Sequence, residues 1–170
     1  MDTILIAQFV GALGVGVFLF CYHFKDMKNV LKVKLLVDVI WGTHYFLLGA
    51  YAGCATNAIC CMRELVFMNN DKRIFKSKIW LWIFVVLNYV GAALTWKGLY
   101  SIIPAVVSTL ATFSFWQKDV KHARRIGIAN NALMFTYDVF VGSYMGMVGE
   151  SLSFFSVLLA MYRNRAGQKQ

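Results

Sequence analysis

The sequence predicts an all-α, polytopic membrane protein in which two parallel three-helix bundles are joined by one linker helix. Three observations carry this. The chain has 170 residues, 59% of them hydrophobic, and a single proline, with a mean hydropathy of +0.60, which is too apolar for a soluble domain with a polar skin. Seven apolar blocks of about the length that crosses a hydrocarbon core of roughly 30 Å lie between charge clusters. Residues 12–68 also align without a gap on residues 105–161, and eleven of the 57 pairs are identical. A shared apolar bias does not produce a register that long.

The seven blocks are 4–22, 35–51, 54–68, 79–96, 99–117, 126–141 and 147–162. A three-helix unit ends on the side opposite to its start, so the fourth block restores the orientation and makes the two copies parallel about an axis along the membrane normal. This divides the chain into a first repeat (1–72), a linker helix (73–97) and a second repeat (98–170). The start Met1-Asp2-Thr3 has no basic region, so block 1 is expected to be a retained span. Short Gly turns are expected near Ala52-Gly53 and Met145-Gly146, and Lys97-Gly98 links blocks 4 and 5.

The net charge of +9 follows the positive-inside rule. Lys25, Lys28, Lys32 and Lys34 follow block 1; Lys72, Arg73, Lys76 and Lys78 follow block 3; Lys118, Lys121, Arg124 and Arg125 follow block 5; Arg163, Arg165 and Lys169 end the chain. All share one face if the N-terminus is outside and the C-terminus cytoplasmic, and only Lys97 lies on the other. Nucleic acid is therefore not an expected partner; the lipid bilayer is. Cys21, Cys54, Cys60 and Cys61 show no metal or disulfide spacing and read as small packing residues. Neither a metal nor a cofactor is expected. No nucleophile with a base and no paired catalytic carboxylates occur at helical spacing, so an enzyme is not expected.

Polar residues within the blocks are the site candidates, because a charge at the centre of a span costs about 2.5–3.5 kcal/mol on insertion scales. Asp38, Trp41 and Tyr45 share one helical stripe, and the repeat puts Asn131, Met134 and Asp138 at the same positions of block 6. Asp38 has two readings, a cavity lining or an i,i+4 pair with Lys34. Asp138 lies too deep to reach headgroups and either lines a cavity or locks helices together. Asn57 matches Glu150, as shared lining or as groups exposed near the outer surface. His44 matches Tyr137; a proton relay and hydrogen-bonded packing are both open, the second being the more common. Arg63, beside Glu64, is expected to snorkel to the cytoplasm unless it gates a pathway. Gly11 and Pro104 occupy matching positions and could act as hinges, Pro104 by deleting a hydrogen bond within its helix. Gly14 and Gly16, and Ser108, Thr109 and Thr112, are small enough for close helix packing.

At 6-IAQFVG-11, 44-HYFLLGAY-51 and Arg63 the chain resembles the YgjV family of bacterial inner-membrane proteins, over nearly its full length. The resemblance implies a location and no activity. The three, one, three arrangement is also similar to the SWEET and PQ-loop transporters, which implies a substrate site between the bundles. Trp41 and Asn57 stand at the spacing of the sugar-lining Trp and Asn of that group; their mates Met134 and Glu150 depart from it, and the Pro-Gln pair is missing. The expected function is a small-solute transporter that rocks about a site lined by Trp41, Asn57, Asp138, Glu150, Asp38, Asn131, Tyr45 and Met134, for a sugar or other small polar metabolite. The alternative is a non-transporting membrane scaffold or receptor using its basic face. Both allow a homo-oligomer.

Overall fold

The computed structural model describes residues 2–21, 24, 26–117 and 120–167, and side chains over 3–19, 24, 26–117 and 125–157. Cys21, Lys25, Lys118, Lys121, Arg124, Arg163, Arg165 and Lys169 fall outside the described side chains. Among the described residues there are seven α-helices and no strand: α1 Asp2–Cys21, α2 Met27–Leu47, α3 Tyr51–Met68, α4 Ile79–Leu94, α5 Ile103–Trp116, α6 Val120–Val141 and α7 Tyr144–Gly167. A 3-10 turn, Leu99–Ile102, leads into α5.

Each helix packs on the next, α3 also touches α5, and α1 closes the ring against α7. The two ends of the bundle are marked by contacts between connections. At one end Lys28, in the first turn of α2, forms an ion pair with Asp71 in the α3–α4 connection. At the other end Lys97 Nζ donates to Gly49 O at 2.8 Å, and Gln8 accepts from Met145 N at 3.0 Å.

Two expectations of boundary are corrected. Helices α2 and α6 begin at Met27 and Val120, well before the apolar blocks at 35 and 126, because helical hydrogen bonding continues through a basic segment. Asp26 caps α2 by accepting from Asn29 N at 3.3 Å. The outer turns fall at Leu48-Gly49-Ala50 and Gly142-Ser143, and Gly53 and Gly146 lie inside helices. Gly49 and Gly142 have φ of 67° and 69°, the left-handed conformation that ends a helix. Gly49 N bonds Phe46 O at 3.0 Å and Ala50 N bonds Tyr45 O at 2.9 Å, which closes the carbonyls of α2 in a Schellman motif.

Two apolar clusters hold the bundle. Met27, Val30, Leu31, Ile59, Phe67, Phe84 and Phe115 join α2 to α5; Val15, Val37, Trp41, Tyr45, Ala50 and Tyr137 join α1, α2 and α6. Between them lies a space lined by both apolar and polar side chains.

Candidate functional site

A cavity of about 120 Å³ opens where α1, α2, α3, α5, α6 and α7 meet. Nine of the thirteen residues singled out in the sequence line it: Asp38, Trp41 and Tyr45 from α2, Asn57 and Arg63 from α3, Pro104 from α5, Asn131 and Met134 from α6, and Glu150 from α7. Gly11, His44, Tyr137 and Asp138 do not. The α2 stripe at i, i+3 and i+7 brings its three side chains to one face, as helical spacing requires. In the orientation that satisfies its neighbours, the Asn131 amide donates to Gly127 O and Glu150 Oε2, each at 3.0 Å, and accepts from Ser153 Oγ at 2.9 Å. The Asn57 amide donates to Gly53 O at 2.8 Å.

One side of the cavity holds buried charge. Asp38, 1% exposed, forms the ion pair with Lys34, so both of its sequence readings describe the same side chain. Arg63 is 1% exposed, which corrects the expectation that it snorkels. Its Nη1 donates to Ser108 O at 3.0 Å, Ser108 Oγ at 3.1 Å and Thr112 Oγ1 at 3.0 Å, and its Nη2 meets Glu64 Oε1 at 2.8 Å. The partners on α5 replace the water a snorkelling guanidinium would seek. Asp38 Oδ2, Arg63 Nε and Asn130 Oδ1, all on cavity-lining residues, are buried atoms without a hydrogen bond.

The four absent residues gather around Tyr45, which itself lines the cavity, and most of their polar atoms are paired, Asp138 Oδ2 being left without a partner. Tyr45 OH donates to Asp138 Oδ1 at 2.8 Å, and Tyr137 OH accepts from Gly53 N at 2.9 Å. His44 Nδ1 lies 2.6 Å from Ala7 O; a carbonyl only accepts, so Nδ1 carries a proton. In the neutral ring Nε2 then accepts from Ser143 Oγ at 2.7 Å, and that hydroxyl accepts from Gly146 N at 3.1 Å. Gly11 seats the ring: a Cβ there would stand 2.9 Å from His44 and 2.8 Å from Met145 Cβ. Pro104 is the second residue of α5 and follows directly on the 3-10 turn Leu99–Ile102, a position near a helix start where proline is well tolerated.

Sequence reading missed Lys34 and Asn130 as lining residues and Ser108 with Thr112 as the seat of Arg63. One signal existed: hydroxyls at i and i+4 on α5 make one polar face, which in an apolar helix needs a polar partner.

The outside of the bundle is apolar and its inside is charged. Leu94 and Leu99 are 81% and 82% exposed, with Phe9, Leu13, Trp82 and Phe155 also open, while Arg63, Glu64, Asp38 and Asp138 are buried. Exposed large apolar side chains around buried charges are unlike the surface of a protein surrounded by water and fit a helical membrane protein. By length and composition Leu99–Trp116 alone among the described helical stretches is both long and apolar enough to cross a bilayer; Thr3–Leu19 and Ile79–Leu94 are apolar but shorter. The chain belongs to the YgjV family, whose model, described as a bacterial inner membrane protein, matches residues 5–168. No curated protein and no solved structure matches it.

Proposed function

We propose that this protein is a multi-pass, small-solute transporter or facilitator of SWEET-like architecture, with α1–α3 and α5–α7 as parallel repeats, α4 as the linker, the N-terminus outside and the C-terminus in the cytoplasm. The observation that carries the reading is who lines the cavity. Six pairs of positions 93 apart face it together: Phe18 and Ala111, Lys34 and Gly127, Val37 and Asn130, Asp38 and Asn131, Trp41 and Met134, Asn57 and Glu150. Two copies of a unit present the same positions to one space only along the axis relating them.

Further support comes from contacts between mates. Tyr45 and Asp138 are 93 positions apart and hydrogen-bonded, as residues flanking such an axis can be. The contact of α3 with α5 has its counterpart in that of α7 with α1. Tyr137 OH meets Gly53 N directly, whereas its mate His44 reaches Gly146 N through Ser143 Oγ, so a shorter side chain is completed by a serine where the first repeat has Ala50. Sidedness is supported by the ends of the bundle, one carrying Lys28, Lys72 and Lys78 and the other Lys97.

In this reading the two bundles rock about the cavity and expose it to each side in turn. Trp41 offers an apolar face, and the amides and acids bind the polar groups of the solute. Flux of a panel of small polar metabolites into proteoliposomes is the test. Folded protein that moves none of them removes transport and leaves the scaffold reading. Reporter fusions that place both termini in one compartment remove the three, one, three topology.

A further inference from the structure

We propose that the cavity takes a primary ammonium on a short apolar chain, with the nitrogen among Glu150, Asp38 and Asn130 and the chain against Trp41. The inference deepens the transport reading and rests on it for treating the cavity as a solute site.

Charge is the first ground. Among the described residues, Lys34 pairs with Asp38 and Arg63 with Glu64, while Glu150 is in no ion pair and meets only the Asn131 amide. Asp138 is also in no ion pair but accepts from Tyr45 away from the cavity, whereas Glu150 is half-buried on the lining. A carboxylate partly withdrawn from water without a counter-charge is costly, and a cation lowers that cost. Hydrogen-bonding sense is the second. Asp38 Oδ2 and Asn130 Oδ1 are unpartnered acceptors on the lining, against one unpartnered donor, Arg63 Nε, and Asp38 is 1% exposed. An ammonium brings three donors and no acceptor, which matches two free acceptors and a carboxylate. A neutral alcohol brings one donor and leaves the charge standing; an anion brings none.

Size and shape are the third. About 120 Å³ is the liquid volume of about four waters at roughly 30 Å³ each, room for a handful of non-hydrogen atoms. Trp41 on the lining suits both an alkyl chain and a neighbouring cation.

The test is calorimetric titration of the full chain in neutral detergent at low ionic strength, with empty micelles subtracted, using n-butylammonium, n-butanol and butyrate. Butylammonium should bind at least tenfold tighter than either. Glu150→Gln, which keeps the shape and an acceptor for Asn131, should cut that preference to under threefold with an unchanged melting midpoint. Equal or tighter binding of butanol or butyrate, or a preference that survives E150Q, overturns the proposal. If E150Q does not fold, the wild-type ranking alone decides. Proteoliposome flux separates the two readings: ammonium binding without flux keeps this site and removes transport, and flux of a neutral solute without ammonium preference does the reverse.

Discussion

The two polar regions of this bundle share helices and differ in how far their polar groups are paired. Around Tyr45, Asp138, His44, Ser143 and Tyr137 the donors find acceptors at 2.6–2.9 Å, and glycines let the backbones close in. A Cβ on Gly53 would stand 2.9 Å from the Tyr45 ring. About two turns away along α2, the space bounded by Asp38, Trp41, Asn130 and Glu150 is open and keeps unpartnered buried atoms. In a low-dielectric surrounding an unpaired polar atom is expensive. Three such atoms lie on residues of the one cavity, against one, Asp138 Oδ2, in the cluster beside it, and under the proposed transport reading the cavity is where a solute can supply the missing partners. The first cluster ties α1, α2, α3 and α6 together and to the turn before α7.

If this contrast is real, mutations in paired regions should cost stability and those in the cavity should not. The largest effect is expected at Arg63, whose removal leaves Glu64 buried without its partner. Arg63→Met should destabilise the protein by about 3–5 kcal/mol, read as a shift in the denaturant midpoint of the purified protein. The double variant Arg63→Met with Glu64→Leu should recover most of the loss. A double variant as unstable as the single would mean that the hydrogen bonds to Ser108 and Thr112, rather than the ion pair, carry the stability.

Next comes Gly146. A Cβ there would run into the Asp138 carboxylate and Ser143 Oγ, and the carboxylate is anchored through Oδ1 by Tyr45 and the serine hydroxyl by His44. Gly146→Ala should cost about 1–3 kcal/mol through overpacking. Gly16, also helical but with nothing within 4 Å of an added Cβ, is the control: Gly16→Ala should be neutral or stabilising by up to about 1 kcal/mol. Equal effects at both positions would show that helix propensity, not close approach, governs these glycines.

This difference also marks what sequence could and could not yield. The helix count and the α2 stripe were legible because they rest on periodicity, which each segment carries within itself. Partners were not legible. Arg63 looked free to snorkel because its seat is 45 and 49 positions away on α5, and Asp138 looked like cavity lining because nothing local shows that Tyr45 covers it. The turn positions slipped for another reason. Two places in the chain carry two glycines four apart, Gly49 and Gly53 or Gly142 and Gly146; one ends a helix with positive φ and the other admits a neighbouring ring or carboxylate, and the letter Gly does not distinguish the uses.

A loss of similar size is expected at Tyr45, whose hydroxyl is the hydrogen-bond donor given to Asp138 Oδ1. Tyr45→Phe leaves that carboxylate buried beside an apolar edge and should cost about 1–3 kcal/mol. Adding Asp138→Leu should give less than the sum of the two single effects, because each removes the same bond. Strict additivity in this cycle would mean that the two mates do not share an interaction in the membrane.

The smallest stability effect is expected inside the cavity, and it separates the two regions most sharply. Asn130 Oδ1 has no hydrogen bond and is buried, so Asn130→Leu removes an unsatisfied acceptor and fills space with apolar volume. Replacing an unpaired polar group with an apolar one of similar size is near neutral or stabilising, so the midpoint should hold or rise. Flux, if the cavity is the solute site, should fall, because the solute loses one of its few acceptors. A variant that is clearly less stable would show that Asn130 is held by structural pairing after all. One that is equally stable and equally active would place the solute elsewhere in the bundle.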